Sequence, residues 1–235
     1  MTRPRIEPGQ AKTAHQARHT RSHRGSADTH GAPHHVPSWL QPGRGRPAGP
    51  PPPSAAGGTA AVLRDGSAVL IRQVRADDAP LVADIFAQLS ATSRWMRFLA
   101  AKSHLTEAEL RYLTDIDHHD HEALAALDGS SGRGLAVARY IRHATDPRAA
   151  ELAIAVADAW HRLGLGTQLL THLSVQARRA GIHRLTALTA ASNTAMTGLL
   201  HALGAELVTG GPDTVEYQLS LTSWLGQPSH EIETK

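Results

Sequence analysis

From about residue 61 onward the apolar residues follow two alternating periods. Ala68 to Val74 (AVLIRQV) is a β-rich run after the turn signal Asp65-Gly66, which predicts a strand. Leu81, Val82, Ile85, Phe86 and Leu89 then recur at helical spacing, with Asp77 or Asp78 available as a cap and Pro80 in the first turn. A second helical segment spans Ser93 to Leu99, and a third starts at the capping-box pattern Thr106-Glu107-Ala108-Glu109. Glu122 to Leu127 and Leu135 to Arg142, joined by a Gly/Ser-rich loop, predict an antiparallel hairpin. Glu151 to Ala157 alternates strictly, with Leu152, Ile154 and Val156 on one face and Glu151 among alanines on the other. Gly164 to Ala180 is an amphipathic helix with a stripe of Leu169, Leu170, Leu173 and Ala177, stopped by Gly181. A strand at Leu185 to Thr189 follows, then a helix capped by Asn193, carrying Met196, Leu199, Leu200 and Leu203 and ended by Gly204. A closing hairpin pairs Leu207-Val208 with Val215 to Leu221. Hairpins combined with a single strand-helix-strand crossover predict an α+β fold, a mixed and mostly antiparallel sheet layered with helices.

Composition shortens the folded part. Ten of the 14 prolines precede residue 54, and the first 60 residues are rich in Arg, His, Gly and Ser. Such a segment buries too little apolar surface to offset its ordering entropy, so residues 1–60 are expected to be a disordered basic arm. A folded domain over 61–225 and a flexible tail over 226–235 complete the expected organisation. The net charge of +3 comes largely from the arm, where eight Arg and Lys residues face only Glu7 and Asp28. With no aromatic interleaving, the arm does not read as a nucleic-acid binder. The absence of cysteine excludes disulfides and thiolate chemistry. No apolar run approaches the length of a membrane span, so no membrane partner is expected and a cytoplasmic location is the default.

The candidate chemistry lies in Trp160-His161-Arg162-Leu163-Gly164-Leu165-Gly166-Thr167, a glycine turn between a strand and a helix N-terminus. Unpaired N–H groups and the positive end of the helix dipole make such a turn an anion site. A P-loop needs a Lys-Ser/Thr pair that is missing here, and a dinucleotide fingerprint needs a third glycine where Leu169 stands. The pyrophosphate of coenzyme A is the remaining option.

The stretch His161-Arg162-Leu163-Gly164-Leu165-Gly166 resembles motif A of the GNAT superfamily of acyl-CoA-dependent N-acyltransferases, Gln/Arg-x-x-Gly-x-Gly/Ala after a strand. His161 stands at the Gln/Arg position, and Leu163 where an arginine often precedes the first glycine. Ser93-Arg94-Trp95-Met96-Arg97-Phe98, Leu113 to His118, Val137 to Tyr140 and Glu151 to Trp160 look like blocks of the bacterial protein-lysine acetyltransferase branch. The resemblance covers roughly residues 63–222. It implies an acetyl-CoA-dependent N-acetyltransferase with acetyl-CoA as cosubstrate and an amine as acceptor, first of all a protein lysine. A small-molecule amine acceptor and a catalytically silent acyl-CoA sensor are the alternatives.

By position, the resemblance implies Glu151 as the general base, acting through water. It also implies that the strand opens near Ile154 to Val156 to bind the pantetheine arm and thioester oxygen. The backbone from Leu163 through Gly164, Leu165 and Gly166 to Thr167, flanked by His161 and Arg162, is to hold the pyrophosphate. Asn193 is to touch the cofactor or merely cap its helix. The family's leaving-group tyrosine is matched by Leu200, leaving Tyr140 as a conceivable substitute. No metal is expected: His118-His119-Asp120-His121 is too dense a cluster to reach one tetrahedral centre.

Overall fold

A computed structural model describes residues 57–224. Eight strands form one sheet: β1 Thr59–Val62, β2 Ala68–Gln73, β3 His121–Asp128, β4 Gly134–Arg142, β5 Ala149–Val156, β6 Arg184–Ala190, β7 Glu206–Gly210 and β8 Thr214–Ser220. Their spatial order is β1-β2-β3-β4-β5-β6-β8-β7, and every neighbouring pair is antiparallel except β5 with β6. The helices are α1 Ala79–Ala87, α2 Ala91–Phe98, α3 Glu107–Thr114, α4 Leu165–Arg179, α5 Thr194–Ala202 and the short α6 Leu221–Trp224. The mixed, mostly antiparallel α+β sheet expected from the sequence is the one observed. Except for residues 57–60, the arm read over 1–60 lies outside the described residues, as does the tail 226–235. Strand β1 begins at Thr59, inside the stretch read as arm and linker; TAAV is too short and too small to signal a strand and depends on its ladder with β2.

The sheet separates two helical layers because its strands carry different residues on each face. On one face, Leu152 of β5 joins Leu165, Leu169, Leu170, Leu173 and Ala177 of α4, all at most 3% exposed, and Leu200 of α5 in the main core. Each fully buried leucine contributes roughly 1.5–3 kcal/mol, so the α4 stripe alone anchors that layer. On the other face Ala123, Ala125 and Ala153 are small enough to admit α1, α2 and α3, whose Ile85, Phe86 and Phe98 fill the space. The 15-residue helix α4 supplies the crossover that parallel β5 and β6 require.

The local signals fold much as read, with one difference at α1. Thr106 and Glu109 form both arms of the capping box. Asp78 occupies the cap position of α1 without a side-chain bond to the helix; its carboxylate accepts from the Arg75 N–H at 2.8 Å and from both arms of Arg72 at 2.6 and 2.8 Å. A charged, two-pronged guanidinium competes better for the carboxylate than the helix N–H groups do.

The histidine cluster before β3 disperses onto separate partners. His118 Nδ1 bonds to buried Glu122 at 2.8 Å, His119 to Asp120 at 2.8 Å, and His121 Nε2 accepts from Arg139 at 3.0 Å. Glu122 raises the pKa of His118. Burial, with the charges of Arg139 and His118, pulls His121 down to about 3 from 6.5. Between those values the unfolded chain binds a proton at His121 that the folded chain refuses, so this contribution is present above about pH 6.5 and is lost as pH falls toward 3. His118 has the opposite sign, stabilising at low pH and losing its contribution as pH rises through its raised value. His121→Gln keeps an acceptor for Arg139 without the titration. Its melting temperature is expected to drop less than the parent's between pH 7 and pH 5, by about 2 kcal/mol in stability or roughly 4–8 °C. Thermal melts at the two pH values check this, and equal drops in both proteins would refute it.

Candidate active site

The centre of the site is a fork in the sheet. Strands β5 and β6 pair over only three positions, Ala149 with Arg184, Ala150 with Leu185 and Glu151 with Thr186. Beyond them β5 follows β4 as far as the Ala136–Val156 pair, while β6 follows β8 to the Ala190–Thr214 pair. The Ala157 N–H donates to the Leu135 carbonyl at 2.8 Å, which fixes the phase of the β4–β5 ladder. In an antiparallel ladder that phase turns the polar groups of Ala153 and Ala155 toward β4 and those of Ile154 and Val156 into the gap. The opening expected near Ile154 begins immediately after Glu151.

One wall of the gap is the glycine turn. Gly164, at φ +90°, is the cap residue of α4, and no side chain bonds the N–H groups of the first turn. Arg162 precedes it at φ +63°, so the turn reverses sharply over three residues. Gly166 is tight for a different reason: a Cβ there would meet Leu199 Cδ2 at 3.1 Å. The Leu165 side chain is 1% exposed in the core, and Leu163 packs against that core, so these two contribute backbone only. The side chain of His161 turns away from the phosphate position expected of it. Its Nε2 bonds to the Val156 carbonyl at 2.9 Å, occupying one of the two polar groups that Val156 offers to the gap.

A cleft of about 740 Å³ runs through the fork. Ile154, Val156, His161, Arg162, Gly164, Gly166, Thr167 and Asn193 line it, whereas Leu163, Leu165 and Glu151 do not. Asn193 caps α5 by accepting the Met196 N–H at 3.1 Å and also faces the cleft. The far wall comes from α2, through Thr92, Ser93, Met96 and Arg97. That helix is fastened to the end of β5 by Asp158, whose carboxylate accepts from the Ser90 N–H at 3.1 Å.

Glu151 sits on the α1–α3 side of the sheet and is 6% exposed. It lies in the electrostatic field of Arg97 and Tyr112. Desolvation lowers Arg97 to about 10 and the charge of Glu151 opposes the fall; burial raises Tyr112, and Glu151 adds to that rise. Arg139, on β4 opposite Ala153 and so two positions beyond Glu151, is 2% exposed and is lowered to about 9 by burial and by the like charge of Arg97. The fork therefore has one buried carboxylate and two guanidinium groups on its acceptor side.

Among the cleft residues to which the sequence reading gave no role, three matter for charge and hydrogen bonding. Arg64 arrives from the β1–β2 turn, Arg97 from α2 and Thr189 from β6. Arg97 falls in the block Ser93 to Phe98, but nothing in that block marks it for the cleft, and Arg64 and Thr189 follow no local motif; each reaches the cleft through strand order or helix packing. Tyr140 is excluded as a substitute acid: it is fully buried, does not line the cleft, and its hydroxyl donates to the His119 carbonyl at 3.1 Å. Leu200, 1% exposed, is a core residue.

A gap with backbone donors on one strand, a side-chain-free helix N-terminus and a volume suited to a large ligand defines an acyl-CoA site. Thr189 also lines the cleft, and its buried hydroxyl has no hydrogen-bond partner among the described residues. The class so defined is an acyl-CoA-dependent acyltransferase.

Comparison with known proteins identifies the family. Residues 89–205 match the model of the acetyltransferase (GNAT) family. The chain is 35% identical to acetyltransferase PA5475 of Pseudomonas aeruginosa over 144 residues, 60% of this chain and 77% of that protein. It is 29% identical to acetyltransferase Pat of Mycolicibacterium smegmatis over 143 residues, 61% of this chain but 43% of that longer protein. The crystal structure of the GNAT domain of S. lividans PAT superposes with a TM-score of 0.66 at 29% identity, covering 69% of this chain and 96% of that one. The chain belongs to the GNAT acetyltransferase family, whose acetyl donor is acetyl-CoA.

Gly164→Ala tests the turn. Its Cβ has room, the nearest atom being Arg64 Nε at 3.6 Å, so the cost comes from the positive φ and is about 1–2 kcal/mol of stability. Gly198→Ala, in open space within α5, is the control and is expected to stabilise by up to about 1 kcal/mol. Urea denaturation of the two variants reads both signs.

Proposed function

We propose that this enzyme transfers the acetyl group of acetyl-CoA to a lysine side chain of a protein, with Glu151 as general base. The observation that carries the reading is a buried carboxylate on the last paired position before the fork, beside the gap where an acyl thioester fits. Similarity to acetyltransferases named Pat, and the sequence blocks shared with the protein-lysine branch, support lysine as acceptor.

The chemistry follows from the positions. A free lysine, with a pKa near 10.4, must lose a proton before it attacks. Arg97, partly buried at the cleft wall, disfavours an ammonium ion there and so favours the neutral amine. Attack on the thioester carbonyl forms the C–N bond and places negative charge on the carbonyl oxygen, which the N–H groups turned into the gap from β5 are placed to receive. Glu151 lies just outside the cleft lining, so the amine proton reaches its carboxylate through a water molecule. The C–S bond then breaks, and coenzyme A leaves as a thiolate that takes its proton from solvent, since neither Leu200 nor Tyr140 offers one.

Glu151→Gln is expected to bind acetyl-CoA as the parent does while kcat falls at least tenfold, with lysine-containing protein as acceptor. Incubation of the parent with labelled acetyl-CoA and cell lysate should label proteins. Label confined to small amines would overturn the lysine acceptor, and an unchanged rate in the variant would overturn the base.

A further inference from the structure

We infer that Arg64, from the β1–β2 turn, is a cationic clamp on the coenzyme A pyrophosphate, adding a second guanidinium to that of Arg162 in the glycine turn. This rests on the acetyl-CoA reading of the cleft. Of the turn's own candidates, His161 is bonded to the Val156 carbonyl and Leu163 packs against the core, which leaves Arg162 as the turn's cation at the cleft. Arg64 comes from 100 residues upstream of Gly164 by number, yet its N–H donates to the Leu163 carbonyl at 3.1 Å, fastening one turn to the other. Its side chain lies along Gly164, with Nε, Cγ and Cδ at 3.6, 3.7 and 3.9 Å from where a Cβ would stand. Arg64 lines the cleft, and among the described residues its guanidinium has no hydrogen-bonded or ion-paired partner.

The host turn is rigid enough to position a clamp. Leu63 N–H donates to the Ser67 carbonyl at 2.9 Å and Gly66 N–H to the Leu63 carbonyl at 3.0 Å. The neighbouring carboxylate does not neutralise Arg64, because Asp65 accepts from the N–H and hydroxyl of Ser67, each at 3.0 Å. Leu63, 5% exposed, roots the turn in the core. A guanidinium beside a helix N-terminus presents a two-pronged donor next to backbone N–H groups, a combination that suits a diphosphate rather than a carboxylate or a sugar hydroxyl. Its position beside Gly164, at the cap of α4, sets the guanidinium at the helix N-terminus read as the pyrophosphate site.

The test is calorimetric binding of coenzyme A and of 3′-dephospho-coenzyme A to the parent, Arg64→Ala and Arg64→Lys. Loss of the clamp is expected to weaken both ligands by about 10- to 100-fold in Arg64→Ala, with partial recovery in Arg64→Lys, because an ammonium keeps the charge without the fork. The unliganded melting temperature should stay within about 2 °C of the parent's, since Arg64 is exposed. An effect on coenzyme A alone would assign Arg64 to the 3′-phosphate and overturn the proposal, as would unchanged affinities. A parent that binds neither ligand would instead overturn the acetyl-CoA reading itself, and the assignment with it.

Discussion

The parting of β5 from β6 after the Glu151–Thr186 pair is the constraint on which the site depends. A sheet interior normally satisfies every backbone polar group, and leaving them unpaired is costly unless a ligand or water completes them. Here the cost is confined to one gap, because each strand remains paired on its outer side, β5 with β4 and β6 with β8. Those two ladders hold the gap open without requiring anything inside it. Helix α4 fixes its width at one end, with its leucine stripe in the core and its N-terminus at the mouth.

The two faces of β5 divide the labour of the enzyme. Leu152, Ile154 and Val156 belong to the α4 side, so their rigidity is that of the main core. Ala153 and Ala155 leave shallow ground on the other side, where α2 approaches closely and brings Arg97 within the field of Glu151. Small residues next to the Glu151 carboxylate thus have a structural consequence: they make room for charged groups from a different helix. Asp158 completes the arrangement by joining the end of β5 to the start of α2.

Much of the fold was legible along the chain. Periodicity placed β5, α4 and α5, and the capping pair Thr106 and Glu109 marked α3 as it stands. The signals failed where an element depends on a partner: β1 has little to mark it except its ladder with β2, and Asp78 prefers Arg72 to its own helix. The site divided in the same way. The glycine turn and Glu151 lie within one continuous stretch of sequence, whereas Arg64, Arg97 and Thr189 reach the cleft from three separate elements.

The sequence by itself determined the alternation of β5, the glycines that allow a positive φ and a close approach, and the family those features define. These are local properties, set by side-chain shape and backbone freedom over a few residues. Tertiary structure decided where the strands part, which carbonyl His161 occupies, and which cations surround the carboxylate and the glycine turn. Those outcomes follow from the sheet order, which brings residues a hundred positions apart into contact, and no spacing along the chain encodes such contacts.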